Sequence, residues 1–169
     1  KYLFDASILL AHVAHRCAGR RAQMFHAISP AVPKEATTRV EAAAARSGWR
    51  LVVVDAGEFG RTEYVANPVN RCFHCKTSLY SAIKRHTAVQ VVSGTNLDDL
   101  DEYRPGLAAA AEHAVRHPFV EAGIDKSLVR QLARHLGLGE IAELPSAPCL
   151  SSRIETGIAI DPRTLALVH

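Results

Sequence analysis

This sequence of 169 residues has no long apolar run, little excess of either charge sign and few cysteines. No stretch reaches the uninterrupted apolar length that spans a bilayer, so no membrane partner is expected. The net charge of +3 is small and evenly spread, which argues against nucleic-acid binding but suits an anionic small substrate. Four cysteines are too few for a secreted disulfide scaffold, so we expect a cytoplasmic protein whose cysteines serve metal or redox chemistry.

The rest of the composition is that of a soluble globular domain, with 48% hydrophobic and 22% charged residues. At this length one core can bury most of the apolar surface, so we expect a single domain. Lys1 does not begin a secretory leader, because no apolar segment of the required kind follows it. The first residues and the segment 166–169 both have helical patterns, so we expect flanking structure in the parent protein.

Hydrophobic periodicity predicts strands that alternate with helices along the chain. Predicted helices cover residues 5–17, 33–47, 73–84 and 125–136. Predicted strands cover residues 24–28, 51–54 and 89–92. The second strand is a continuous β-branched run that suits burial on both faces, and the third is predicted as another buried strand. This alternation predicts an α/β fold, a doubly wound parallel sheet with helices on both faces.

In such sheets, ligands bind beyond the carboxyl ends of the strands, where the connecting loops gather. The polar segments of this chain fall in those places. They are the loop before Cys72 and the segments 94–106 and 145–153. Residues that carry chemistry are therefore expected in these loops.

The cysteines are the first candidates. Cys72 and Cys75 form a C-x-x-C pair at the start of a helix, where the helix dipole favours the thiolate form. The pair alone is compatible with structural zinc, with His74 as a possible further ligand, with a redox disulfide or with an iron-sulfur cluster. Cys149, in a loop of small and polar residues, adds a third thiolate, which leaves a tetrahedral zinc site one ligand short but suits a cubane with one open iron. Cys17 is expected to be a buried small hydrophobe on the first helix.

The segment 93–99 is the second candidate, because it leaves a predicted strand with one glycine and two carboxylates. Gly94 would permit close approach of the backbone to a ligand, and Asp98 and Asp99 would hold a magnesium ion that bridges phosphates. The alternative is a solvated turn in which Asp98 or Asp99 caps a helix. Six basic residues lie in or beside the loops: Arg71, Lys76, Arg104, Lys126, Arg130 and Arg153. They could neutralise phosphate groups, or they could simply be surface charges.

Taken together and in order, five short motifs resemble the LarE family, a branch of the PP-loop ATP pyrophosphatases. They are NPVNRCFHCK from Asn67, GTNLDD from Gly94, YRPG from Tyr103, EAGIDK from Glu121 and PCLSSR from Pro148. The resemblance runs over nearly the whole chain from Asp5. It implies that residues 1–153 are a PP-loop domain and that residues 154–169 begin a truncated C-terminal region.

The resemblance implies a reaction in which ATP, with magnesium, adenylates a carboxylate of a pyridinium mononucleotide and pyrophosphate leaves. Sulfur then replaces AMP to give a thiocarboxylate, a step in building a nickel-pincer cofactor. In sacrificial members of the family a cysteine donates its own sulfur, but Pro148 occupies that position here. The chain therefore resembles the branch in which three cysteines bind a 4Fe-4S cluster that carries the sulfide. The full-length protein is expected to be a homo-oligomer.

Carried over residue by residue, the resemblance implies three sets of functional positions. The cluster ligands are Cys72, Cys75 and Cys149. The ATP-binding residues are Asp5, Ser7, Gly94, Asn96, Asp98, Asp99 and Lys126. The catalytic residues are Asp99, Lys76, Ser152 and Arg153, and the substrate-binding residues are Arg71, Arg104 and Arg153.

One departure from the family pattern concerns the SGGxDS motif, whose glycine N–H groups cradle pyrophosphate. The corresponding segment is residues 1–6, in which only Asp5 matches. The ATP site is therefore expected to be impaired, or else its loop lies before this chain. Two other interpretations stay open, a tRNA-thiolating enzyme on the same scaffold and a non-catalytic, zinc-stabilised nucleotide-binding module. Iron with acid-labile sulfide would support either sulfur-transferring enzyme, and zinc would support the module.

Overall fold

The structure is a computed structural model that describes residues 4–143 and 148–168, without the side chains of Phe4, Asp5 and Ile141. In chain order its elements are α1 (Phe4–Ala18), β1 (Gln23–Ile28), α2 (Lys34–Ser47), β2 (Arg50–Asp55), α3 (Thr62–Val65), α4 (Arg71–His86), α5 (Pro105–Glu112), α6 (Pro118–Glu121), α7 (Lys126–His135), α8 (Gly139–Ala142) and α9 (Pro162–Leu167). Short 3-10 turns lie at Gly19–Arg21, Glu58–Gly60, Leu97–Asp99 and Leu150–Arg153. Within these ranges no helix is both long and apolar enough to cross a bilayer.

Most of the predicted elements are confirmed, and their ends have local causes. Helix α2 follows Pro33 and ends at Gly48, whose φ of 66° places it in the left-handed conformation that commonly terminates helices. Helix α7 begins after Asp125, whose carboxylate accepts a hydrogen bond from the Leu128 N–H. Strands β1 and β2 pair in parallel, in a register that places Met24 opposite Leu51 and continues to the ends of both strands.

Helices cover both faces of this two-stranded sheet. Met24 packs with Ile8 of α1 and with Ala43 and Ala44 of α2. Its neighbour Phe25, which points to the opposite face, packs against the cluster formed by α4 and α5. The fold is thus mixed α/β with a parallel sheet, as the sequence predicts, although the sheet of the described residues has only β1 and β2.

The predicted strand at 89–92 is wrong. In this segment only Val92 makes a β-bridge, to Arg116, and Val89 is 69% exposed. An apolar run becomes a buried strand only where other strands and helices cover it, and the backbone hydrogen bonds here run to Arg116 alone among the described residues. Burial of β2 on both faces is also wrong at Val53, which is 41% exposed because the helix cover on that face reaches Leu51 but not Val53.

Gly94 does allow a close backbone approach, but to α1 and not to an open ligand site. A Cβ atom at this position would lie 2.8 Å from the Ala6 carbonyl carbon and 2.8 Å from the Ser7 nitrogen. Both are backbone atoms, which cannot move aside as a flexible side chain would. Gly94 therefore allows the loop after Val92 to contact the first turns of α1.

Gly94→Ala is accordingly expected to lower the free energy of unfolding by about 1–3 kcal/mol, because the added methyl group overpacks a backbone contact. Denaturant unfolding followed by circular dichroism would measure the change. Gly60→Ala is the matched control, since a Cβ there meets nothing within 4 Å. Equal midpoints for the two variants would contradict the close packing of Gly94 on α1.

Candidate functional site

The candidate site forms where the α3–α4 connection meets the segment that begins at Cys149. The Tyr64 hydroxyl and the Ser151 Oγ are 2.8 Å apart, and Nη1 of Arg71 donates to the Ser151 carbonyl at 2.9 Å. Arg71 also donates to Oδ1 of Asn67. These bonds hold the residues next to Cys72 against the residues next to Cys149.

Asn67 is central to this connection. Its side chain is completely buried, and its Nδ2 donates to the carbonyls of Glu155 at 2.8 Å and Ile158 at 3.0 Å. Its backbone carbonyl accepts from the Gly157 N–H, and its φ is 53°, a left-handed conformation that asparagine tolerates better than most residues. One residue thus joins the loop before α4 to segment 155–158.

The three predicted cysteine ligands converge at this place. Cys75 packs against the buried cluster of Tyr64 and Leu150, and burial raises the pKa of its thiol to about 12. Lys76 opposes that increase in pKa, whereas the charges of Glu58, Cys149 and Cys72 add to it. The thiols of Cys149 and Cys72 are therefore within electrostatic reach of Cys75.

Two cysteine predictions need correction. The helix N-terminus was expected to favour thiolate, but Cys75 lies in the second turn of α4 and its buried surroundings favour the neutral thiol by raising its pKa. Cys17 was expected to be buried and is exposed. The packed apolar residues of α1 run from Ala6 to Ala14, whereas its last turn, which holds Cys17, is basic.

The metal-ligating geometry is not preformed for a single ion. Across residues 4–143 and 148–168, no group of three His, Cys, Asp or Glu side chains could hold a metal ion as it stands. The three thiols therefore share a neighbourhood without forming a finished mononuclear site. His74, the possible additional zinc ligand, stacks edge-on against Phe73 with 5.4 Å between the ring centroids.

Lys76 is a half-buried cation beside the cysteines. Burial lowers its pKa, but the charges of Tyr80 and of the three thiols outweigh burial, so the pKa is raised. Its stem packs against the first turn of α5, where a Cβ on Gly106 would lie 3.1 Å from Cγ of Lys76 and 3.7 Å from the Cys72 carbonyl oxygen. Lys76 thereby links the cysteines to the segment that follows Gly94.

That segment holds its carboxylates in internal contacts. Asp99 is 2% exposed; its Oδ2 accepts from the Asn96 N–H at 3.0 Å and its Oδ1 pairs with Nη1 of Arg104 at 2.8 Å. Burial raises the pKa of Asp99, although the Asn96 N–H and Arg104 oppose the rise. Oδ2 of Asp98 accepts from the Lys126 N–H at 2.7 Å. Both carboxylates thus make the capping contacts that the alternative interpretation expects.

Asn96 shows the opposite behaviour. Its side chain is completely buried; its Oδ1 faces the Asp99 N–H in a capping box, whereas its Nδ2 has no hydrogen-bond partner. An unpaired buried amide costs on the order of 1–3 kcal/mol, so such groups are usually satisfied by a ligand or water. Nε of Arg104 is likewise buried without a partner in the same loop.

The remaining predicted positions lie beside Cys149 or beside Gly94. Ser152 and Arg153 are exposed beside Cys149; the Ser152 hydroxyl donates to the Cys149 carbonyl at 2.6 Å, and Arg153 donates to the Val168 carbonyl. Ser7 is exposed and adjoins Gly94. The side chain of Asp5 and segment 144–147, part of the predicted 145–153 loop, lie outside the described residues.

Sequence reasoning missed one residue of the site, Glu58. It opens the 3-10 turn after β2, is only 4% exposed and has no partner for its Oε2. Its charge acts on both Cys75 and Tyr64, raising the pKa of each. Its place just beyond the carboxyl end of β2 was the available signal, since ligands of parallel sheets gather there.

A cavity of about 370 Å³ adjoins Glu58 at the carboxyl ends of β1 and β2. It is lined by Ile28, Ser29, Pro30, Asp55, Gly57, Phe59 and Gly60. It is open to solvent over much of its surface, and its walls combine apolar side chains with strand-end polar groups. Its position is the edge at which parallel sheets bind ligands.

No known protein-family model matches the chain. The chain is similar to the uncharacterized protein slr1717 of Synechocystis sp., with 37% identity over 166 residues that make up 96% of this chain and 62% of that protein. It is also similar to the uncharacterized protein MJ0830 of Methanocaldococcus jannaschii, with 33% identity over 95 residues, 54% of this chain and 36% of that protein. The chain therefore spans less than two thirds of the length of these relatives.

Proposed function

We propose that this chain is the ATP-dependent sulfur-transferring domain of a LarE-type enzyme. The enzyme adenylates a carboxylate of a pyridinium mononucleotide and replaces AMP with sulfur, which gives a thiocarboxylate for a nickel-pincer cofactor. The observation that carries the proposal is the convergence of Cys72, Cys75 and Cys149, which come from distant parts of the sequence, beside the cation Lys76. The cytoplasmic location and the homo-oligomer expected from the sequence stay predictions.

The fold proposed for the parent domain is the doubly wound PP-loop sheet, with residues 1–153 in that domain and 154–169 beginning a C-terminal region. Helices on both faces of the parallel pair β1 and β2 support this assignment. So does the position of the candidate site beyond the carboxyl ends of the strands.

The donor set supports a 4Fe-4S cluster held by the three cysteines. A cubane distributes its thiolate ligands over several iron atoms, so its ligands lie further apart than those of one ion. Such a cluster, when bound, supplies the sulfide that replaces AMP. The chain itself contributes a half-buried surrounding and one cation, Lys76, whose raised pKa keeps it charged next to anionic sulfur.

The ATP part of the proposal rests on the segment 94–104. The unpaired Nδ2 of Asn96 and the unpaired Nε of Arg104 are buried polar groups that a nucleotide would satisfy. Asp98 and Asp99 keep the segment in place through the Lys126 N–H and Arg104. Magnesium binding by these carboxylates would require one of those contacts to open.

One observation favours a second candidate, the zinc-stabilised nucleotide-binding module without catalysis. Both Asp99 oxygens already have protein partners, as expected of a structural turn and not of a free magnesium ligand. The tRNA-thiolating enzyme gains no such support. The substrate experiment below separates all three.

The test uses the full-length protein, anaerobically reconstituted with iron and sulfide and incubated with Mg-ATP and a carboxylated pyridinium mononucleotide. We expect pyrophosphate release that depends on the mononucleotide, and a thiocarboxylate product detected by mass spectrometry. With sulfide supplied, product should exceed one equivalent per chain, since no protein cysteine is consumed. Thiolation of added tRNA instead would support the tRNA enzyme, and ATP binding with no pyrophosphate release would support the module.

A further inference from the structure

Glu58 is a buried carboxylate that neither the fold nor the proposed sulfur transfer uses. It is 4% exposed, its Oε2 accepts no hydrogen bond, and no cation of the described ranges pairs with it. Exposed acidic residues nearby behave differently: Glu63, one short turn later, is 58% exposed and pairs with Arg61 at 3.9 Å. The isolation of Glu58 is therefore particular to its position.

A buried carboxylate without a partner is costly, because it loses hydration and gains nothing in return. Buried charges in proteins are usually paired with another charge or coordinate a metal. The residue after Glu58, Phe59, packs in the same cluster as Tyr64 and Cys75, and the charge of Glu58 reaches the Cys75 thiol and the Tyr64 hydroxyl.

The three cysteines leave one coordination position of a cubane open. The side chain best placed to approach that position is a buried donor that reaches the thiols and has no other partner. Glu58 meets each condition, whereas Tyr64 does not, because its hydroxyl already bonds to Ser151. The carboxylates of Asp98 and Asp99 are likewise occupied by protein groups.

We propose that Glu58 is the oxygen donor of the cysteine site, and that its carboxylate faces the iron that Cys72, Cys75 and Cys149 leave open. The inference rests on the cluster of the proposed function. A carboxylate is a weaker ligand for iron than a thiolate, so it can hold the open position and still exchange with another ligand.

The first measurement compares Glu58→Gln with wild type in the full-length protein, with Glu63→Gln as the matched exposed control. After anaerobic reconstitution, each is titrated with an iron chelator while iron content and the EPR spectrum are followed. Glu58→Gln should lose its unique iron as Fe²⁺ at a chelator concentration about tenfold lower than wild type, and one-electron oxidation with ferricyanide should then give the EPR signal of a three-iron cluster. Glu63→Gln should match wild type.

The second measurement is the melting temperature of the metal-free proteins. Glu58→Gln should melt higher than wild type, because it removes an unpaired buried charge, although the same change weakens the loaded site. A purely structural role would not change the two readouts in opposite directions. A lower melting temperature of metal-free Glu58→Gln would therefore contradict the inference.

The outcomes separate the inference from the function on which it rests. If wild type takes up no iron and sulfide, the proposed cluster is wrong and the role of Glu58 fails with it. If wild type binds the cluster, but Glu58→Gln shows the same chelator titration and the same EPR spectrum, only the role of Glu58 is overturned.

Discussion

Cys149→Ala is expected to abolish the visible absorbance that the wild-type protein gains on anaerobic reconstitution with iron and sulfide. Only Cys72 and Cys75 would remain, and a C-x-x-C pair alone supplies too few thiolates for a cubane. The charges of Cys72 and Cys149 both raise the pKa of Cys75, so Cys149 lies close enough that its removal would take away one side of the site. The readout is absorbance normalised to protein, measured between about 350 and 450 nm, where sulfur-to-iron charge transfer gives iron-sulfur clusters their colour.

Cys17→Ala is the matched control for this experiment. Cys17 is a free, exposed cysteine in the last turn of α1, and it does not contribute to the surroundings of Cys75. Its removal should leave both the absorbance and the iron content unchanged. A visible spectrum of Cys149→Ala equal to that of wild type, in a variant that keeps its helical circular dichroism, would remove Cys149 from the ligand set.

Asn67→Ala is expected to lower the free energy of unfolding by about 3 kcal/mol or more, a large loss for a single substitution. The amide of Asn67 donates to two carbonyls, those of Glu155 and Ile158, and accepts from Arg71. Alanine would leave these buried groups without partners and would be strained at a φ of 53°. Denaturant unfolding would measure the loss.

The same substitution should also lower the iron content after reconstitution, because Asn67 orients Arg71, which in turn holds the Ser151 carbonyl near Cys149. Asn70→Ala is the control. Asn70 is exposed, precedes α4 and makes no side-chain cap hydrogen bond, so its removal should change stability by no more than about 0.5 kcal/mol. Equal unfolding midpoints for Asn67→Ala and wild type would contradict the connecting role.

The sequence predicts elements well where the signal is local. Helix α2 and strand β2 carry their own periodicity and terminators, such as Gly48, and both form as predicted. The segment 89–92 fails because its apolar residues specify burial but not the partner that provides it. Cys17 fails for a related reason, since helical spacing does not tell where along α1 the neighbouring helices stop.

The candidate site divides in the same way. The strand-end rule and the cysteine spacing predict that Cys72, Cys75 and Cys149 approach one another. The contacts that produce this approach, through Asn67 and Arg71, depend on tertiary hydrogen bonds that no sequence pattern encodes.

Glu58 and the carboxylates of the 94–104 segment show a further limit. Composition marks acidic residues but not their partners, so the sequence left Asp99 open as either a magnesium ligand or a cap, and only the structure shows that both of its oxygens have protein partners. Glu58 was overlooked although its carboxylate has no partner. Only the packed structure distinguishes a satisfied carboxylate from an unsatisfied one.

The most direct test of the cysteine site is elemental. Iron, acid-labile sulfide and zinc are measured per chain in full-length protein, purified and reconstituted without oxygen. The account predicts about four iron atoms and about four sulfide ions per chain, and much less than one zinc ion per chain. One equivalent of zinc without sulfide, retained in the presence of excess iron, would contradict it.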